Sequence, residues 1–447
     1  MILPRRQLLK SLVAASLFPT IGRIDRMHPL PQPRRLRGLS GEPDWLAVRD
    51  LFPLAPDWTH LSSFLFVSHP KPVADAIDHF RKKLDSDAMW IEIQAFSDTE
   101  GHPFTVAKQA LANYVGGAGS EICLTANTTT ALAMAYHGLR IRPDQEILTT
   151  EHDHYSHHES IRYAAARSGC GVRYIALFDA PARADAAEIA DRIARAITPK
   201  TRAVGVTWVQ SSTGIKLPLE RIAEVVARAN RGRVAADRCL LIVDGVHGFA
   251  NQDVDVAHTG VDFFASGAHK WLFAPRGTGF LWGKADAWPE LRPTIPSFDW
   301  ETINTTFGVW ADRKDLPPTQ AGFVSPGGFV AYEHVFAIPA AVELHRTIGR
   351  DKIAARIAEL NAAFREGAAK IPGLTLHTPC DPALSGGISC FELRGMPPGQ
   401  VVARLAEKRI RTTTSPYKVS YARVSAGIMN KPEEVELVLR EIRALAA

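Results

Sequence analysis

The sequence predicts an α/β protein, with a large domain on a mostly parallel sheet and a smaller C-terminal α+β domain. Three observations predict it. From about residue 105 onward, short apolar runs alternate with longer helical patterns, as strands covered by helices on both faces require. The run LIVD, closing at Asp244, has no polar alternation and so reads as a strand buried on both sides. Past the Gly/Pro-rich turn SPGG at 325–328, a helix-rich stretch starting near Ala337 gives way to short alternating elements.

At 447 residues, 46% hydrophobic and 22% charged, the chain can bury a full core and is long enough for two or three domains. Its formal charge of +5 is spread along the chain and partly gathered in the first 37 residues, so no basic stripe for nucleic acid is expected. The cysteines at 123, 170, 239, 380 and 390 form no CxxC pair and no zinc-spaced cluster, and their odd count argues against a disulfide framework.

In chain order, MILPRRQLLKSLVAASLF places Arg5 and Arg6 before an apolar run too short to span a bilayer. It resembles the twin-arginine export signal R-R-x-apolar-L-K, here R-R-Q-L-L-K, with Pro4 where Ser or Thr is usual. Residues 1–22 are therefore expected to engage the twin-arginine (Tat) export machinery, which implies a periplasmic location. Residues 23–57, rich at first in proline and arginine, read as a linker and N-terminal arm. The expected strands of the large sheet are EICLT (121–125), EILTT (146–150), GVRYIAL (171–177), RAVGVTWV (202–209), CLLIVD (239–244) and VDFFAS (261–266). Those of the final region are GLTLHT (373–378), GISCFEL (387–393), RIRTTT (409–414) and YARVSAG (421–427).

Ligands of such sheets sit beyond the carboxyl ends of the strands, so the polar residues after each run are the candidates. EICLT leads to Asn127, Thr128, Thr129 and Thr130 and then to the helical run ALAMAYHGL. A strand, a tight turn and a helix N-terminus make an anion site, although capping alone explains one threonine. EILTT leads to EHDHYSHH, whose spacing is neither HExxH nor closed by a cysteine pair, so no metal is expected there. An aromatic ring just past a strand end can stack on a flat ligand, and helix-capping or surface histidines are the alternative. LLIVD ends in Asp244, and a carboxylate closing a buried strand must face a cation or water. The next run, in VDFFASGAHKW, delivers His269 and Lys270 where a solvated lysine is not expected, and neighbouring parallel strands bring Asp244 and Lys270 to one site. An anion cradle, a stacking ring, a lone carboxylate and a semi-buried lysine together meet the needs of pyridoxal phosphate. Its phosphate needs the helix N-terminus, its aldehyde a lysine, and its pyridine nitrogen an acid partner.

With these residues in place, the chain resembles the class V aminotransferase group of fold-type I pyridoxal phosphate enzymes, which includes cysteine desulfurases, kynureninase and isopenicillin N epimerase. The likeness runs from about residue 58 to the end, and AHKWLFAPRGTGFLW is its most specific motif. The resemblance implies a mostly parallel seven-stranded sheet in a large domain over 58–335, a small domain over 336–447, and a homodimer. It implies that Lys270 holds the cofactor, that Asp244 pairs with the pyridine nitrogen and that His247 lies near the phenolic oxygen. His154, or less simply His152, takes the ring-stacking position. Thr128 and Thr129 fall on the phosphate turn and His269 on a second phosphate contact. Ser211 falls where desulfurases carry Asn, and Gly267 where they often carry Ser. YARVSAGIMNKPEEV matches the segment whose arginine, here Arg423, grips the substrate carboxylate through two parallel N–H donors. HLSSFLFVSHPKPV, 60–73, resembles the stretch that lies over the site.

Desulfurases use a cysteine shortly before that arginine; none follows Cys390, which sits in an apolar run, so desulfurase activity is disfavoured. Exported members include periplasmic enzymes that tailor pyoverdine siderophores, and the twin-arginine start and FLFVSHPKPV look like theirs. The expectation is a class V transaminase acting on the α-amine of an amino acid or peptide-linked glutamyl group in the periplasm. The alternatives are an isopenicillin N type epimerase and a lyase.

Overall fold

A seven-stranded sheet lies at the centre of the fold. The structure, a computed structural model, describes residue 36 and residues 41–91, 100–299, 302 and 317–447; the expected export segment lies outside the described residues. After the short strand β1 (Thr59–His60), the sheet takes β2 (Ile122–Thr125), β3 (Glu146–Thr150), β4 (Gly171–Ile175), β5 (Thr201–Thr207), β6 (Leu240–Asp244), β7 (Phe263–Gly267) and β8 (Gly279–Gly283). Their spatial order is β2-β8-β7-β6-β5-β3-β4. Six strands run parallel, and only β8 runs against its neighbours β2 and β7. The six expected runs each form a strand. GFLWG, which forms β8, is the addition, since glycines at both its ends read as turn punctuation.

Burial explains why these runs lack alternation. Every residue of β5, β6, β7 and β8 is buried, whereas the edge strand β4 is partly exposed. Phe263 and Phe264 are both fully buried, and covering a phenylalanine contributes about 1.5–3 kcal/mol. Helices supply the cover. Thr128–Gly138 brings Leu132, Ala135 and Tyr136 to a core shared with Ile147, Ile161, Ile242 and Ala265. Leu219–Ala229 buries Ile222, Ala223, Val225 and Val226 and leaves its charged residues outside.

The C-terminal region builds a second sheet from β9 (Leu374–Leu376), β10 (Ser389–Leu393), β12 (Thr413–Thr414) and β13 (Ala422–Val424), in the order β12-β13-β10-β9 and antiparallel throughout. Between them β11 (Ile410–Arg411) pairs in parallel with β1, tying the start of the described chain to the end. Leu360 and Phe364 from the helix Arg350–Ala368, and Val438 and Ile442 from the helix Pro432–Ala446, pack with Phe391 and Val424 into its core. The preceding helices, Tyr332–Phe336 and Ile338–Ile348, lie instead against Lys71–Ser86 and Pro103–Val115, where Phe336 meets Phe80 and Phe104 at ring distances of 5.5 and 5.1 Å. Among the described residues no helix is long and apolar enough to cross a membrane.

Candidate active site

Four parallel strands end side by side, and the carboxyl edge they share carries the candidate residues. Asp244 closes β6, opposite Thr207 of β5 and Ala265 of β7. Its carboxylate is buried and, among the described residues, accepts only the Val246 N–H, at 3.1 Å. Burial therefore pushes its pKa up to about 6, against the pull of Lys270. Lys270, three residues past β7, lines the same cavity without an ion pair to Asp244. Its Nζ lies 3.3 Å from His247 Nε2, and burial pushes the amine down to about 8, with Asp244 opposing. His247 is itself buried, its Nδ1 has no partner among the described residues, and desolvation holds it well below its ordinary value.

The expected phosphate turn follows β2. Asn127, not a threonine, caps the helix Thr128–Gly138, accepting the Thr130 N–H at 2.9 Å. That leaves the N–H groups of Thr128 and Thr129 to serve an anion. The Thr128 hydroxyl accepts the Gly267 N–H at 2.7 Å, which joins this turn to the end of β7. A Cβ on Gly267 would lie 2.8 Å from His269 Cε1 and 3.3 Å from the Thr128 hydroxyl, so glycine here lets both side chains close on one space. His269 Nδ1 bonds the Thr278 carbonyl at 3.3 Å, and burial lowers its pKa, so a neutral ring turns Nε2 toward other partners.

The histidines of EHDHYSHH go to different places. His154 caps the helix Tyr155–Ser168, bonds Ser156 Oγ at 2.8 Å and lines the cavity. Burial first, and then the charge of Lys270, push it down to about 4. His152 instead stacks on Phe178 at 4.0 Å and accepts the Leu177 N–H, and it does not line the cavity. His157 is buried against the Tyr136 hydroxyl at 2.6 Å, and His158 bonds the Thr150 carbonyl.

Between them, Asp153 is a residue the sequence reading missed. It is buried and accepts from the Thr149 and Thr150 hydroxyls and from the Thr150 and Thr207 N–H groups at 2.8–3.0 Å. Burial alone would raise its pKa, but His157 and these donors hold it below the ordinary value. The carboxylate thus pins β3 to β5 directly before His154. Asp153→Ala is expected to cost about 3 kcal/mol or more, because it orphans two buried N–H groups, and chemical denaturation measures this. An unchanged unfolding midpoint would deny the network its role.

Arg423 enters the cavity from β13. Its Nε donates to the Thr413 hydroxyl at 3.1 Å, and its two terminal nitrogens donate to the carbonyls of Ser211 at 3.0 Å and Thr414 at 2.7 Å. No carboxylate pairs with it among the described residues, burial lowers its pKa, and the Phe64 ring covers the guanidinium at 4.6 Å. One N–H remains on each terminal nitrogen, which matches the two oxygens of a carboxylate. Ser211 uses its hydroxyl on the Tyr417 phenol at 2.8 Å, and Tyr417, unforeseen in the sequence, stands edge-on to His154 at 5.8 Å. Cys390, opposite Arg423 in β10, is buried with its thiol pushed up to about 12, and no cysteine lines the cavity.

These residues fit pyridoxal phosphate. A buried carboxylate lacks its cation, an imidazole lacks a partner at Nδ1, an amine faces both, and Gly267 clears room beside a helix N-terminus. Because only the neutral amine attacks an aldehyde, capture of the cofactor by cofactor-free protein is expected to accelerate with pH, half-maximally near 8. A midpoint near the ordinary lysine value of 10.5 in stopped-flow absorbance would place the capturing amine in open water.

Residues 68–438 match the family model described as Aminotransferase class-V. The isopenicillin N epimerase of Streptomyces clavuligerus is 28% identical over 416 residues, covering 90% of this chain and 98% of that protein. The protein of Methanothermobacter thermautotrophicus named "Probable cysteine desulfurase" is 26% identical, over 80% of this chain and 84% of its own. In fold, the chain is similar to a C-DES variant with glycine covalently linked to its PLP cofactor. That match has a TM-score of 0.76 at 22% identity and covers 88% of this chain and 98% of that one.

Proposed function

Because the chain belongs to the class V aminotransferase family, whose members are pyridoxal phosphate enzymes, we propose that it transaminates the α-amine of an amino acid or peptide-linked glutamyl group. The observation that carries this reading is the convergence of Lys270, Asp244 and Arg423 on one cavity. When bound, the cofactor supplies an electron sink for negative charge on the carbon beside the amine. The spare N–H pair of Arg423 holds the substrate carboxylate and so fixes which bond of that carbon faces Lys270. Lys270, largely neutral above pH 8, would take the α-proton and deliver it on the same side to the carbon beyond the amine nitrogen rather than back to the α-carbon, so a single base suffices for transamination. Asp244 holds the proton on the ring nitrogen, while Thr128, Thr129 and His269 serve the phosphate. His154 covers one side and keeps water out, and His247 orients the Lys270 amine.

Epimerisation is the second reading, favoured by the alignment with the Streptomyces clavuligerus protein over nearly its whole length. A cavity wall without cysteine speaks against desulfuration, although relatives bear that name. The twin-arginine start supports action in the periplasm on a siderophore-like peptide, and family resemblance supports a homodimer. Holoenzyme given L-glutamate or glutamyl peptides together with pyruvate is expected to form alanine. Inversion at the α-carbon without amino transfer would replace transamination by epimerisation, and sulfide release from cysteine would replace both.

A further inference from the structure

We infer that Tyr417 is a positioning residue for Arg423, acting through Ser211; this rests on the reading of Arg423 as the carboxylate clamp. Ser211 lies just past β5 in the large sheet, whereas Tyr417 lies in the loop between β12 and β13, and Arg423 on β13 itself. Ser211 faces both. Its carbonyl accepts an Arg423 N–H at 3.0 Å and its hydroxyl bonds the Tyr417 phenol at 2.8 Å.

The loop that carries Tyr417 is closed at its base. The Ser415 N–H donates to the Tyr421 carbonyl at 2.9 Å, the Tyr421 N–H to the Ser415 hydroxyl at 2.8 Å, and the Ser420 hydroxyl to the Ser415 carbonyl at 2.7 Å. Tyr417 therefore rides on a firm support and stands against His154 on its cavity side.

The guanidinium depends on that arrangement because it has no carboxylate partner. Neutral acceptors set its direction: the Ser211 carbonyl from one sheet, and Thr413 and Thr414 from the other. The Ser211–Tyr417 bond joins those two groups of acceptors. Without the phenolic hydroxyl the direct hold between Ser211 and the β12–β13 loop is left to Arg423 itself, and the two spare N–H groups lose part of their common aim. A substrate carboxylate then has to order the clamp as it binds, and its affinity falls by the cost of that ordering.

The test uses holoenzyme and glutarate, a dicarboxylate with no amine to react, in isothermal titration calorimetry, beside steady-state kinetics. Tyr417→Phe keeps the ring and removes only the hydroxyl, so the glutarate Kd and the substrate KM are expected to rise together by about fivefold, with kcat unchanged. Ser211→Ala is expected to give the same loss and the double variant no more, since the two hydroxyls act as one unit. Tyr421→Phe, in the same loop but stacked on His377 at 3.9 Å, is expected to change neither quantity. A fall in kcat with Kd and KM unchanged would put Tyr417 at the reacting atoms and overturn the inference, as would additive losses or no loss at all. Arg423→Ala separates the two levels. If it abolishes glutarate binding while Tyr417→Phe does nothing, only the positioning role fails. If it leaves Kd unchanged, or if the wild type binds no glutarate, the reading of Arg423 fails and this inference with it.

Discussion

Replacing Lys270 with alanine is expected to lower kcat by about a thousandfold or more, because positioned proton transfer contributes about 10²–10⁴ and this variant also removes the covalent hold on the cofactor. No neighbour is placed to substitute. His247, at 3.3 Å, is held neutral with its proton affinity far below that of an amine, and His154 is pushed down to about 4. Cofactor retention should nevertheless survive, since the Thr128 turn and Asp244 are untouched by the substitution. Methylamine, small enough to enter the space left by the side chain, should restore part of the turnover in proportion to its free-base concentration. A Lys270→Ala variant within tenfold of wild type would place the base elsewhere.

The second large effect is expected at Asp244, and it has two readouts of opposite sign. Asp244→Asn keeps the shape of the side chain but removes the charge that holds a proton on the ring nitrogen, so kcat is expected to fall by about 10²–10³. Stability should move the other way in cofactor-free protein. Burial raises the folded pKa of Asp244 from 3.8 to about 6, so its contribution to stability is complete below pH 3.8 and is lost as pH rises through 6. The loss amounts to about 3 kcal/mol at neutral pH, and asparagine does not suffer it. Cofactor-free Asp244→Asn should therefore unfold at higher denaturant than wild type at pH 7 and at similar denaturant at pH 4. A variant that is less stable at both would mean that the carboxylate already has a partner in the folded chain. Such a residue, costly to the empty fold and needed by the chemistry, is what a functional site leaves behind.

Much of this arrangement was legible in the sequence for one reason. In a parallel sheet every strand ends at the same edge as its parallel neighbours, so residues far apart in the chain can be assigned to one place by finding where each apolar run stops. Asp244, Lys270 and Thr128 were reachable that way, whereas His154 was singled out from its neighbours by the family resemblance. β8 was not, because its pairing with β2 and β7 is a matter of space, and its bounding glycines read locally as turns. The choice between His152 and His154 turned on how the chain enters the helix at Tyr155, and only the fold shows His152 against Phe178. Asp153 looked like one more polar residue in a charged stretch until Thr207, 54 residues on, was seen to donate to it. The resemblance of residues 60–73 placed the Phe64 segment over the site, and Phe64 and Leu65 line the cavity there, but no pattern within the Ser211 and Tyr417 segments announces that they meet.

The most direct test of the account is where the cofactor becomes attached. Protein supplied with pyridoxal phosphate should turn yellow, and borohydride reduction followed by peptide mass mapping should place a single pyridoxyl group on Lys270. A group on any other lysine, or no visible band after the cofactor is supplied, would contradict the assignment of Lys270 and the chemistry built on it.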